Sequence, residues 1–149
     1  MKIIDKNKKI YFEYEIQEKL EAGIVLVGSE VKSIRLGNAR LADSFCFVDR
    51  GEIWLKNMHI ASYEKGSYFN LEPRRDRKLL LNKKEIDKLI GKMKTKGFSL
   101  VPTQIYFNKG LVKVEVALAK GKKQHDKRRT IKDRDIKRDT ERAVREVNK

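Results

Sequence analysis

The densest chemistry in this chain is cationic. Residues 119–129 read A-K-G-K-K-Q-H-D-K-R-R, so that Lys122, Lys123, Lys127, Arg128 and Arg129 crowd around His125 and Asp126. Ammonium and guanidinium groups at this density neutralise phosphates, and five such contacts give a log–log salt slope of roughly −3.5 to −4.5. His125 is planar and could stack on an exposed purine, but no partner constellation fits it for acid–base work. Asp126 interrupts the positive run; it either accepts from a base edge or pairs with Lys122 or Arg129.

Other residues that could carry chemistry lead less far. Glu30, Asp43 and Asp49 are the candidates for a metal-dependent nuclease. No H-x-x-x-H, paired cysteines or phosphate-cradling glycine loop accompanies them. A non-catalytic protein without cofactor or metal is therefore expected. His59, in N-M-H-I, reads as a partly buried structural histidine, and Cys46, in S-F-C-F-V, as a small core residue. Residues 62–78 form an irregular stretch in which Tyr63, Tyr68 and Phe69 precede Arg74, Arg75, Arg77 and Lys78. Aromatic faces and arginines in this mixture suit irregular RNA, or else cap one end of a barrel.

The charge balance points the same way. The 149 residues carry 36 Lys/Arg against 21 Asp/Glu, a net charge of +15. Residues 120–149 alone hold thirteen Lys/Arg and six Asp/Glu. So polar a segment has too little apolar surface to offset the entropy of ordering. It is expected to be mobile when free and ordered by a polyanion, RNA first among them. Two units follow: a domain over 1–120 and a basic tail over 121–149, with Gly121 as pivot. Beyond Thr130 the tail becomes helix-competent, with Asp133 four before Lys137, Glu141 four before Arg145, and a thin stripe of Ile136, Ala143, Val144 and Val147. The charged start lacks the apolar run of a secretory leader, and no stretch approaches the ~20 apolar residues of a membrane span. A cytoplasmic location without a membrane partner is expected.

The elements that must position these groups are mostly strands. Ile10, Phe12, Tyr14 and Ile16 alternate with polar residues and predict a strand, broken at Ala22-Gly23 and followed by a short buried strand over 24–27. Gly28-Ser29 opens a short helix, with Ser29 as N-cap, Val31 and Ile34 inward and Gly37 as the stop. Residues 44–49 and 52–58 form a hairpin turning at Arg50-Gly51. A longer helix spans 82–97, with Asn82 and Glu85 as a capping box and Ile86, Leu89, Ile90 and Met93 as its inner stripe. Strands over 100–107 and 111–118 close the domain, with Pro102 at an edge or bulge. Six short strands and two or three helices predict a mainly β, OB-fold-like barrel.

Six strings occur together and in order: N-K-K (7–9), E-A-G-I-V-L (21–26), G-S-E-V-K-S-I-R (28–35), N-M-H-I (57–60), R-K-L-L-L (77–81) and A-K-G-K-K-Q-H-D-K-R (119–128). With this spacing the chain resembles the small protein B family, the bacterial SsrA-binding proteins, from about Asn7 to the C-terminus. The resemblance implies an OB-like barrel with flanking helices and a tail disordered when free. It also implies a monomeric, non-catalytic partner of transfer-messenger RNA (tmRNA) that binds its tRNA-like domain. Such a protein accompanies the RNA into stalled ribosomes for trans-translation, which frees the ribosome and marks its product for degradation.

By the same resemblance, the RNA-facing surface includes Asn7, Tyr14, Glu21, Leu80 and Lys113, with Lys32 and Arg35 as neighbours. Lys32, Arg35 and Lys113 neutralise phosphates. Tyr14 and Leu80 offer packing surfaces to an extruded base, and Glu21 an acceptor for a base amino group or 2′-hydroxyl. Tyr14 is either core or RNA-facing. The tail, from Gly121 through Ile136, is implied to occupy the decoding site and message channel of the small subunit. The alternative is a general basic protein that folds onto ribosomal RNA during assembly, which composition alone does not separate from the first reading.

Overall fold

The computed structural model describes residues 1–63, 72–95 and 97–121. In chain order these form β1 (Lys2–Lys6), α1 (Lys9–Glu13), β2 (Tyr14–Ile24), α2 (Gly28–Arg35), β3 (Ala39–Arg40) and β4 (Phe45–Asp49). There follow β5 (Glu52–Lys56), β6 (His59–Ile60), β7 (Arg77–Leu80), α3 (Lys83–Met93), β8 (Phe98–Asn108) and β9 (Leu111–Gly121). Seven strands make one antiparallel sheet in the order β1-β8-β9-β2-β7-β5-β4, and β3 pairs with β6. The sheet curls until β4, at one end, lies against β8. Curling buries Ala22, Ile34, Leu41, Ile53, Leu55, Leu79, Leu89, Ile105, Val114 and Val116 in one apolar interior. The mainly β expectation stands.

Local chemistry accounts for the clearest elements. Arg50 and Gly51 both take positive φ (51° and 75°), as do Lys109 and Gly110 (52° and 78°). Two such residues make the turn whose twist matches a hairpin. Helix α3 starts on the predicted box: Asn82 Oδ1 accepts from the Glu85 amide at 2.8 Å, and Glu85 Oε1 accepts from the Asn82 amide at 3.4 Å. Replacing Asn82 by alanine should cost about 1 kcal/mol of stability, measured as a lower urea midpoint at unchanged slope.

Elsewhere the structure departs from the periodicity. Residues 10–16 are not one strand: α1 covers Lys9–Glu13, and β2 begins at Tyr14. Ile10 and Tyr14 are four apart, a spacing that shares a face in a helix as well as in a strand. No break occurs at Ala22-Gly23. Ala22 is fully buried in the core, and Gly23 admits the close approach of Leu80, whose Cβ would lie 3.2 Å from a Cβ at Gly23. The buried strand over 24–27 shrinks to Ile24, with Val25 and Val27 exposed. Val27, not Ser29, caps α2, and its amide donates to Glu30 Oε1 at 3.1 Å. The six predicted strands become seven in the main sheet plus a short pair, because β1 and β7 were hidden in charged strings.

Three register shifts complete the frame, the first on β1 between Ile3 and Asp5. Register shifts between Pro102 and Gln104 on β8, as the proline requires, and between Ile16 and Glu18 on β2, where Gln17 is the extra residue. Before the bulge, Tyr14 and Ile16 pair with Gly121 and Ala119 and pack with Ile10, Val101 and Ala117 in a second cluster outside the barrel. After it, Leu20 and Ala22 pair with Val116 and Val114 and face the interior. Glu21, paired with Glu115, is therefore on the same outer face as Tyr14.

Candidate nucleic-acid interface

Antiparallel register gathers three of the expected residues around Gly23. Leu80 and Lys113 are its direct partners on β7 and β9, and Glu21 stands two residues back on β2. A hollow of about 330 Å³ opens there, lined by Gly23, Leu26, Val31, Leu80, Leu111 and Lys113 among others. Leu80 is 51 % exposed and Leu111 62 %, so an apolar lip adjoins the Lys113 ammonium. Bases unstacked from an RNA loop pack on such a lip while the cation meets a phosphate. Helix α2 supplies Val31 to the lining and carries Lys32 and Arg35, both exposed. Lys32 Nζ lies 5.6 Å from the Tyr63 ring centre and the Arg35 guanidinium 5.9 Å from that of Phe107.

An outward polar network borders this cluster. The Tyr106 hydroxyl donates to Glu21 Oε2 at 2.5 Å, and Gln104 Nε2 donates to Glu115 Oε2. Lys19 Nζ donates to the Tyr11 hydroxyl oxygen at 2.9 Å and lies 3.5 Å from Glu115 Oε1. The Tyr11 bond, opposed by some desolvation, raises the Lys19 pKa; burial and Glu21 push the Tyr106 hydroxyl up.

Glu30 and two arginines anchor α2. The Arg77 Nε donates to Glu30 Oε2 at 2.6 Å, its Nη1 to the Met58 carbonyl at 2.7 Å and its Nη2 to the Pro73 carbonyl at 3.0 Å. Arg75 Nη2 donates to Glu30 Oε1 at 2.5 Å. Burial pushes the Glu30 carboxyl up, but hydrogen bonds from Arg75, the Val27 amide and Arg77 outweigh it and hold it below the ordinary carboxylate range. Arg77 is 1 % exposed, so the reading of Arg75 and Arg77 as RNA-gripping loop arginines is corrected: both hold α2 to β7. Glu30 is equally unavailable to a metal ion. Asp43 and Asp49 are exposed turn and strand-end residues, and among the described residues no group of three or more His, Cys, Asp or Glu could hold one. His59 is half-buried in β6 opposite Arg40, and burial pushes the Cys46 thiol up.

Asn7 and Tyr14 lie apart from Glu21, Leu80 and Lys113. Tyr14 and Glu21 pair with Gly121 and Glu115, six positions apart on β9, so about 20 Å separates them at 3.3 Å per residue. Asn7 is buried, its Nδ2 donating to the Leu41 carbonyl at 3.3 Å and its amide to the Thr103 carbonyl at 2.8 Å. With Tyr14 it lines a second hollow of about 270 Å³, along with Ile10, Phe45 and Val101. Strand β9 ends here: Gly121 pairs with Tyr14, and its amide donates to the Gly97 carbonyl at 3.3 Å. The tail residues Lys122, Lys123, His125, Asp126, Lys127, Arg128, Arg129 and Ile136, and Tyr68 and Phe69 of the loop, lie outside the described residues. Sequence reasoning missed Tyr106 and Gln104, whose partners are reached only through strand register. Among the described residues no helix is long and apolar enough to cross a membrane.

A family profile described as SmpB protein matches residues 4–146. The chain belongs to the SmpB family. The match runs on to residue 146 and so takes in most of the basic C-terminal segment. An SsrA-binding protein of Bacteroides thetaiotaomicron is 58 % identical over 141 residues, covering 94 % of each chain. One from Thermoanaerobacter pseudethanolicus is 56 % identical over 146 residues, covering 98 % of this chain and 94 % of the relative. Among solved structures, a chain from "tmRNA-SmpB: a journey to the center of the bacterial ribosome" superposes with a TM-score of 0.68. It is 47 % identical, covering 85 % of this chain and 93 % of that one. The resemblance carried by the six strings is thus family membership, and SmpB proteins are RNA-binding proteins rather than enzymes.

Proposed function

We propose that this protein binds the tRNA-like domain of tmRNA and delivers it to stalled ribosomes in the cytoplasm, as the non-catalytic partner of trans-translation. SmpB membership over nearly the whole chain carries this reading, and the surface around Gly23 suits it. Lys32, Arg35 and Lys113 take phosphates there, Leu80 packs against an extruded base, and Glu21 accepts from a base or ribose donor. Asn7 and Tyr14 form the second RNA-facing patch, at the root of the tail. The tail from Gly121 enters the decoding site and message channel. There Lys122, Lys123, Lys127, Arg128 and Arg129 neutralise ribosomal RNA, His125 stacks, Asp126 accepts from a base edge and Ile136 adds an apolar contact.

Competition binding tests the function. Labelled tRNA-like domain is displaced by unlabelled tmRNA, ordinary tRNA or a ribosomal RNA fragment at fixed salt. Tighter competition by tmRNA is expected, by about tenfold or more. Equal competition by all three would instead make the protein a general basic RNA binder.

A further inference from the structure

On the outer face, the row Gln104–Glu115–Glu21 crosses β8, β9 and β2. Two carboxylates thus stand directly opposite each other, an unfavourable pairing unless donors answer them. Glu115 is answered on both oxygens, by Gln104 at Oε2 and by Lys19 at Oε1. Glu21 is answered on one. Tyr106, from the neighbouring row, reaches across β9 and donates to Oε2. Among the described residues Glu21 Oε1 has no hydrogen-bond partner, and Glu21 is exposed. Tyr106 is only 4 % exposed, so its ring is held by packing and its hydroxyl has a fixed place.

We propose that Tyr106 is a positioning residue for RNA reading: it fixes Glu21 so that Oε1 faces outward as the acceptor for a single donor of the bound RNA. The role rests on the RNA-binding function proposed above. A free glutamate side chain loses rotamer freedom when it engages a ligand, whereas one already held by Tyr106 loses less. With Oε2 engaged, the site suits one exocyclic amino group or one 2′-hydroxyl better than the two parallel donors of a guanine edge. Lys113, paired with Tyr106 across the strands, places a cation beside that acceptor for the adjoining phosphate.

The test is a double-mutant cycle in binding of the tRNA-like domain, using the full chain as wild type, Tyr106→Phe, Glu21→Gln and the double variant. Tyr106→Phe keeps the buried ring, and a thermal melt checks that the fold persists. Each single change should weaken binding by about tenfold, and the double should bind no worse than Glu21→Gln alone, since Tyr106 acts through Glu21. The slope of log affinity against log salt should stay at the wild-type value for Tyr106→Phe, because no phosphate contact is lost. Lys113→Ala should reduce it by about 0.7–0.9. RNA with 2′-deoxy substitutions separates the two donors: the Tyr106→Phe effect vanishes on it for a 2′-hydroxyl and persists for a base amino group. Unchanged affinity of Tyr106→Phe, or losses that multiply in the double variant, would overturn the positioning role alone. A wild type that fails to bind the domain would overturn the RNA-binding function with it.

Discussion

Removing residues 122–149 should leave a folded protein that still binds the tRNA-like domain and no longer supports tagging of stalled products. Among the described residues both apolar clusters are built from positions up to 119, and β9 completes its pairing at Gly121, so the truncation leaves these clusters and strands whole. The lost segment carries twelve Lys/Arg and six Asp/Glu, which lowers the net charge from +15 to +9. Thermal stability should stay close to that of the full chain, and tmRNA affinity should fall by no more than the long-range attraction of six net charges, which salt screens. Ribosome engagement loses its phosphate contacts: for the five cations at 122–129 the log–log salt slope should shrink by roughly 3.5 to 4.5. Tagging in a reconstituted translation reaction should drop to background. A gel shift in which tmRNA affinity collapses together with tagging would contradict the division between domain and tail.

Breaking the Glu30–Arg77 pair should produce the largest loss of stability of any single substitution considered. Arg77→Met leaves the buried Glu30 carboxylate with Arg75 and the Val27 amide alone; Glu30→Gln leaves a buried guanidinium without its counter-charge. Removing one partner of such a pair costs about 3–5 kcal/mol, a large part of the 5–15 kcal/mol that holds a typical domain. Arg77→Lys should not rescue it, because a single ammonium cannot reach Glu30, Met58 and Pro73 from three directions. Urea unfolding at pH 7 measures the loss. The pH dependence has a definite sign. Since the folded Glu30 pKa lies below its ordinary 4.5, the stabilisation is fully present above that value and is lost as pH falls through the folded value. The gap between wild type and Glu30→Gln should therefore narrow in acid. RNA affinity should follow stability, because the same pair holds down the helix that carries Lys32 and Arg35.

What could be read in advance was what is decided locally. Arg50-Gly51 dictates its hairpin through two positive φ angles, and Asn82 with Glu85 starts α3 within one turn, though the helix predicted to run to 97 ends at Met93. Ile10 and Tyr14 satisfy two periods at once, and only packing against Val101 and Ala117 decides between them. Arg77 looked like one more loop cation because its partner Glu30 is 47 residues away. Tyr106 and Glu21 are separated by 85 residues, and nothing short of the β2-β9-β8 register brings them together. The family strings point to Glu21, Leu80 and Lys113; their convergence on Gly23 is a property of the sheet.

The extra residue at Gln17 has a consequence for how two partners can be held at once. It works as a phase shifter: an odd and an even position of β2, Glu21 and Tyr14, come to look out on the same side. An uninterrupted strand would turn one of them into the barrel. With the shift in place, Glu21 and Tyr14, the latter beside Gly121 at the end of β9, share one flank of the molecule, with no wall of the barrel between them. Any tilt of that flank would carry Glu21 and the Gly121 end of β9 together, as a single lever.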